Sequence, residues 1–233
     1  MSFYKTLTPY YDDIFPANEK TLAFLADHFK VGASILDVGA GTGNMAVSLA
    51  KKGFRLTAME PEKGMAEQVR LKAQAQQLPI SVTTDTMQQL DTVDGTFQGI
   101  YCIGNTLVHL NDMEEMRTFF QQTFDKLETK GVFIFQIVNF DKKDFVFPVI
   151  EKEGFLFERQ YKRDGEKILF TTTLSTKERA QTNTISLYPA TEAQLRPLLE
   201  ACGFESITAY GNFALKAYNN DAPALIMVAK KGK

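Results

Sequence analysis

The chain has 233 residues, 44% hydrophobic and 23% charged, enough for one well-buried α/β core and a smaller appendage. Its formal net charge of −2 excludes nucleic acid as an expected main partner, because such proteins usually present a basic face. The start, Met1-Ser2-Phe3-Tyr4-Lys5, lacks a secretory apolar core, and the longest uncharged apolar stretch, 131–140, is far too short to span a bilayer.

Cys102 and Cys202 lie in apolar sequence, where two buried thiols in a reducing compartment are expected. A cytoplasmic location follows as the expectation. With two histidines and no His/Cys/Asp/Glu cluster at ligand spacing, no metal site is expected.

Three tyrosines, Tyr4, Tyr10 and Tyr11, precede a first candidate helix near 17–29. Residues 35–50 then read Ile-Leu-Asp-Val-Gly-Ala-Gly-Thr-Gly-Asn-Met-Ala-Val-Ser-Leu-Ala. Ile35, Leu36 and Val38 surround Asp37 as in a buried strand, and helical spacing follows over 43–52. Between them Gly39, Gly41 and Gly43 alternate with Ala40 and Thr42. Without a Cβ at those positions the backbone turns sharply and a ligand can lie against it. The next helix points its first N–H groups at that ligand. A dinucleotide loop of the Gly-x-Gly-x-x-Gly type would need its third glycine at position 44, where Asn44 stands. An acid two residues before the first glycine suits an ammonium and repels a phosphate.

The next apolar strand, 54–59, ends at Glu60, about 20 residues past the glycines. A carboxylate there accepts two hydrogen bonds from a vicinal diol. Pro61 sits where a helix begins, and 62–77 carries Met65, Val69 and Ala73 on one stripe. A strand over 80–84 leads to Asp85, Thr86 and Met87. Residues 97–110 run from a strand through Cys102-Ile103-Gly104-Asn105-Thr106 to His109. A helix over 112–129, capped by Asn111 or Asp112, packs with Met113, Met116, Phe119, Phe120, Phe124 and Leu127. The nearly continuous apolar strand 132–138 is expected to be central.

This alternation of strands and helices demands a doubly wound α/β sheet. The pattern Asp37-x-Gly39-x-Gly41-x-Gly43 resembles motif I of the class I S-adenosylmethionine-dependent methyltransferases. The segment 102–110 is similar to motif IV of the small bacterial type and of the glycine/sarcosine N-methyltransferases. The resemblance covers 35–141 by motif. It implies a seven-stranded, mostly parallel Rossmann-like sheet whose last strand is antiparallel. It also implies S-adenosyl-L-methionine as cofactor and S-adenosyl-L-homocysteine as product. Asp37, Gly39, Ala40, Gly41 and Gly43 would hold the amino-acid end, and Glu60 with Pro61 the ribose. Met65 would lie on the adenine face, with Asp85, Thr86 and Met87 on its edge. Cys102, Ile103 and Gly104 would pass the reacting methyl group. His109, Asn105 and Tyr11 (or Tyr10) are the candidate catalytic residues, positioning more than acid–base groups. His28 falls in an outer helix. The run 136–141 resembles an Arg-Asn-Tyr-Asp element of the glycine enzymes, but Val138 replaces the arginine that would hold a substrate carboxylate. Glycine or sarcosine activity is therefore not carried over.

From 155 to 187 three β-like runs follow, 155–161, 167–173 and 182–187, the first pair joined by Arg163-Asp164-Gly165, a hairpin signal. They predict an antiparallel β lid inserted after the fifth strand. The domains would be 1–140 with 189–233, and the insert 141–188. Alternation puts Phe155, Phe157 and Arg159 on one side of the first run, without saying which side is inward. A helix over 191–202, strands near 204–210 and 224–230, and a solvated tail at 230–233 complete the chain.

The expected activity is transfer of a methyl group to O or N of a small-molecule acceptor, by a monomer or homodimer. Two other readings stay open: a non-catalytic nucleoside-ligand module and a nicotinamide (NAD-dependent) oxidoreductase.

Overall fold

The computed structural model describes residues 4–232, so Met1–Phe3 of the polar start and Lys233 of the basic tail lie outside the described residues. The apolar runs form β1 (Ser34–Val38), β2 (Arg55–Met59), β3 (Ile80–Thr83), β4 (Phe97–Cys102) and β5 (Leu127–Val138). These pair in parallel in the order β5-β4-β1-β2-β3. The C-terminal strands β10 (Phe204–Tyr210) and β11 (Ala224–Lys231) extend the sheet to seven, with β11 antiparallel to both β5 and β10.

Strand alternation divides the core between the two faces. Leu36, Val38, Ile100, Cys102, Phe133 and Phe135 face α5 (Met113–Lys126) and α6 (Glu192–Ala201). Ile35, Leu56, Ala58, Tyr101 and Ile134 face α2 (Glu19–His28) and α3 (Asn44–Lys51), joined by Val69 of α4 (Lys63–Ala75). The sheet is thus covered on both sides, as parallel strands require.

Several element ends differ from the sequence expectation for identifiable reasons. The helix after Pro61 stops at Ala75 because Gln77 turns left-handed at φ 52° and Leu78 N–H returns to the Ala73 carbonyl at 2.9 Å. The 112–129 helix ends at Lys126: Leu127 pairs with Phe97 and opens β5, which bulges over 128–131 before the ladder resumes at Val132. Asp112, not Asn111, caps α5, its carboxylate accepting from the N–H groups of Glu114 and Glu115 at 3.0 and 2.9 Å. The strand expected to be central, β5, sits one place off; β4 is the middle strand. Lys230 and Lys231 are not tail but β11, and the Lys231 ammonium donates to the Phe124 and Leu127 carbonyls at 2.7 and 2.8 Å.

A second sheet, β6-β7-β8-β9, is wholly antiparallel and falls between residues 150 and 187. Its strands β7 (Phe155–Asp164), β8 (Lys167–Thr176) and β9 (Ala180–Leu187) match the three β-like runs. Gly165 at φ 58° makes the hairpin turn. The three-residue β6 (Ile150–Lys152) is too short to show a period. The N-terminal segment, including α1 (Tyr11–Ile14), packs on this sheet: Leu7 and Ile14 share a cluster with Phe155, Phe157 and Leu174.

Gly43, which caps α3, has φ 80°, and a Cβ there would lie 2.9 Å from Val69 Cγ1. Gly53 has φ 92° with open space around it. Gly43→Ala is therefore expected to cost about 3 kcal/mol, strain plus overpacking, and Gly53→Ala about 1 kcal/mol, strain alone. Urea denaturation of the two variants checks the ranking; equal costs would mean that Val69 moves aside.

Candidate active site

The loop after β1 is held to the end of β2: Gly39 and Ala40 N–H groups donate to the Met59 carbonyl at 2.8 and 3.1 Å. Gly39, Gly41 and Gly43 all have positive φ, between 57° and 80°. A Cβ on Gly39 would lie 2.4 Å from Thr106, and one on Gly41 2.8 Å from the Tyr11 ring. The glycines thus admit protein side chains from three other elements, Thr106, Tyr11 and Val69, where the sequence suggested room for ligand alone. Asn44, where a dinucleotide loop would carry glycine, donates to the Phe15 carbonyl at 3.1 Å and accepts from Lys72 at 2.8 Å.

Glu60 follows β2 and is nearly buried, its two carboxylate oxygens accepting from Gly41 N–H at 2.8 Å and Glu62 N–H at 2.9 Å. Burial pushes its carboxyl up to about 7, against the pull of those N–H donors. Asp37 lies deeper, at the β1 position paired with Tyr101, and burial raises it to about 7 as well, with the Tyr101 hydroxyl opposing and Glu60 adding. Each oxygen of Glu60 keeps lone-pair capacity for a further donor.

A cavity of about 420 Å³ opens at the C-terminal ends of the parallel strands, within the range of small-molecule sites. Gly39 and Glu60 form part of its wall, with Pro61 just before α4 and Met65 in its first turn. Asp85, Thr86 and Met87, after β3, form another part, and Gly104 and His109 a third. Asp85 accepts a hydrogen bond from the Thr83 hydroxyl. Ala40, Gly41 and Gly43 do not line the cavity, and Asp37 lies beneath it. Cys102 points into the core on the α5 face, and Ile103 packs toward the other core. Alternation along β4 forces that arrangement. Val38, Met59, Glu62, Gln88 and Thr106 complete the lining and were missed, since nothing in their local sequence marks them.

A second cavity of about 260 Å³ shares Tyr4, Tyr11, Gly104 and His109 with the first. Its far wall is the small sheet, through Phe157, Arg159 and Tyr161. Phe155 and Phe157 are buried, so the Phe155/Phe157/Arg159 side of β7 is the inward one. Tyr11 reaches both cavities, whereas Tyr10 packs at a tilt on Phe155 with ring centroids 5.0 Å apart and lines neither. Asn105 lines the second cavity at φ 69°. Its carbonyl accepts from Val138 N–H at 2.9 Å and its amide donates to the Tyr161 hydroxyl at 3.4 Å. The Tyr4 hydroxyl and His109 Nε2 share a 2.9 Å hydrogen bond. Burial pushes His109 down to about 4, so its imidazole is neutral at pH 7. His28 lies on α2 and bonds the Phe24 carbonyl at 2.7 Å. Asn139, in the Arg-Asn-Tyr-Asp-like run, is a brace: its amide donates to the carbonyls of Asn219, Asn220 and Ala222 at 3.0–3.2 Å.

Among the described residues no group of three metal-ligating side chains converges, and no helix is long and apolar enough to cross a membrane.

A glycine loop and an acid after β2, on a sheet of order β3-β2-β1-β4-β5-β11-β10 with β11 reversed, define a Rossmann-like nucleoside-binding fold. Residues 35–131 match the family model described as a methyltransferase domain. That match, with the relatives and folds that follow, supports a class I S-adenosylmethionine-dependent methyltransferase. It is 33% identical over 113 residues to a putative methyltransferase from Geobacillus sp., covering 48% of this chain and 45% of that one. It is 25% identical over 207 residues to a glycine/sarcosine N-methyltransferase from Aphanothece halophytica, covering 84% and 76%. The chain thus spans about half the length of the first relative and about three quarters of the second. In fold it is similar to the CcbJ methyltransferase from Streptomyces caelestis, with a TM-score of 0.85, 19% identity and 97% and 96% coverage. A S-adenosylmethionine-dependent methyltransferase from Clostridium acetobutylicum gives 0.83, 16% and full coverage of both chains. These comparisons do not favour the nicotinamide or the non-catalytic reading.

The unfolded chain protonates a histidine near pH 6.5, while folded His109 stays neutral down to about 4. Its contribution to stability is therefore full above about pH 6.5 and is lost as pH falls toward about 4. The stability difference between the unsubstituted protein and His109→Gln, from denaturation at several pH values, is expected to shrink over that window. A difference independent of pH would place the imidazole in solvent.

Proposed function

We propose that this protein transfers a methyl group from S-adenosyl-L-methionine to an oxygen or nitrogen atom of a small molecule by in-line displacement. The observation that carries this reading is the meeting of two cavities at Tyr4, Tyr11, Gly104 and His109. One has the glycine loop and Glu60 in its wall, and the other has the small sheet.

The first cavity fits the cofactor on the chemistry of its donor set. Glu60 offers acceptor capacity to a ribose diol, Asp85 to an adenine amine, and Met65 and Met87 apolar contact to the base. The buried Asp37 would favour the amino-acid ammonium from beneath Gly39. When bound, the cofactor supplies an already activated sulfonium methyl.

What remains for the protein is to place a nucleophile in line and keep water out. The Tyr4–His109 pair stands where the cavities join, Asn105 lines the second beside it, and together they would orient the acceptor. A neutral imidazole can also take a proton from the acceptor as the new bond forms. On this reading residues 1–140 and 189–233 form the catalytic unit, and 141–188 the lid over the acceptor. A cytoplasmic location agrees with the two unpaired, buried thiols.

Thermal unfolding with S-adenosyl-L-homocysteine, beside NAD and buffer, tests the proposal. At 100 times its Kd the product stabilises by about 2.7 kcal/mol, a shift of roughly 5–10 °C for a chain of this size. NAD is expected to give none, and Glu60→Ala to lose most of the product shift. No shift with saturating product would overturn the reading.

A further inference from the structure

Arg159 is the one cationic side chain in the wall of the second cavity, and its surroundings are unusual for a guanidinium. Its Nε is shielded from solvent and has no hydrogen-bond partner. It forms no ion pair among the described residues, and no aspartate or glutamate lines that cavity. Its plane is instead held by rings: the guanidinium carbon stands 4.6 Å from the Phe147 centroid and 5.9 Å from that of Phe15. Phe157 and Tyr161 flank it on the same face of β7.

Leu or Met would serve a position used only for packing, since half-burying a charge without a counter-ion is unfavourable. The arrangement makes sense when an anion completes it. A guanidinium presents a planar fork that matches a carboxylate in two parallel hydrogen bonds. With one positive charge, no lysine and no second arginine in the wall, the site balances a monoanion rather than a phosphate dianion. The aromatic lining and the 260 Å³ volume suit a small, flat apolar body.

We infer that Arg159 is the specificity-determining residue for the methyl acceptor, binding a carboxylate on a small, largely apolar acceptor whose nucleophilic atom lies toward Tyr4 and His109. The name acceptor rests on the methyl-transfer reading; the carboxylate site does not.

Calorimetric titration with benzoate and phenylacetate, each beside its neutral amide, tests the inference with and without saturating S-adenosyl-L-homocysteine. At least one carboxylate is expected to bind about tenfold or more tighter than its own amide. Arg159→Met is expected to erase that preference and leave the thermal shift by S-adenosyl-L-homocysteine unchanged. Arg159→Lys, which keeps the charge and loses the fork, is expected to retain part of it. The comparison of acid with amide in the unsubstituted protein needs no variant to fold. Binding of neither carboxylate, equal binding of acid and amide, or a preference that survives Arg159→Met would overturn the inference. Inorganic phosphate binding as tightly as the carboxylates would overturn it too, as a generic anion site. A carboxylate preference without any product shift would leave it standing and bring down the methyl-transfer reading instead.

Discussion

The site depends on three missing Cβ atoms. Gly39, Gly41 and Gly43 each hold a left-handed backbone and each admit a different element: Thr106 after β4, Tyr11 of the N-terminal segment and Val69 of α4. A side chain at any of them would push one of these elements outward. Close packing leaves no slack to absorb that displacement. The loop is therefore the point where sheet, α4 and N-terminal segment come into register, besides being part of a cavity wall. Glu60 completes the junction by accepting the Gly41 N–H, so a carboxyl in the cavity wall also fixes the loop beside it.

The N-terminal segment joins the two sheets. Asp12 pairs with Lys72 of α4 at 2.6 Å and accepts from the Thr42 hydroxyl at 2.5 Å. Phe15 meets Phe157 of the small sheet with ring centroids 5.9 Å apart. Between these anchors Tyr4 and Tyr11 reach both cavities. The result is a wall of phenol rings at the junction, their hydroxyls kept protonated by burial. Low polarity there strengthens the fields of the few charges left. Those ionisable groups are sorted: the carboxyls of Glu60, Glu62 and Asp85 line the first cavity, and the guanidinium of Arg159 lines the second. Holding Glu60 and Arg159 partly out of water costs stability, which a ligand of opposite polarity restores.

Much of the sheet was legible because its signals are local. Ile35, Leu36 and Val38 announce a strand, the alternating glycines a turn, and Asn111-Asp112 a cap, each within a few residues. The cavity-wall places of Gly39, Glu60, Asp85 and His109 were legible for the same reason, as they follow strand ends of a doubly wound sheet, where its cavities open. Boundaries failed where the deciding contact is remote. Leu127 looks helical by spacing, yet its pairing with Phe97 makes it strand; Lys231 looks like tail, yet it bonds the end of α5.

The sequence by itself determined the alternation of strands and helices, the glycine loop and the acids that follow β2 and β3. These rest on spacing along one chain, which hydrophobic periodicity and backbone stereochemistry impose directly. Only the tertiary structure decided which side of β7 faces inward, that Tyr11 rather than Tyr10 reaches the site, and that Cys102 turns away from it. Alternation gives two faces but no direction; what fixes the direction is the apolar surface waiting on the other side, here Leu7 and Ile14, brought against Phe157 across some 150 residues of intervening chain.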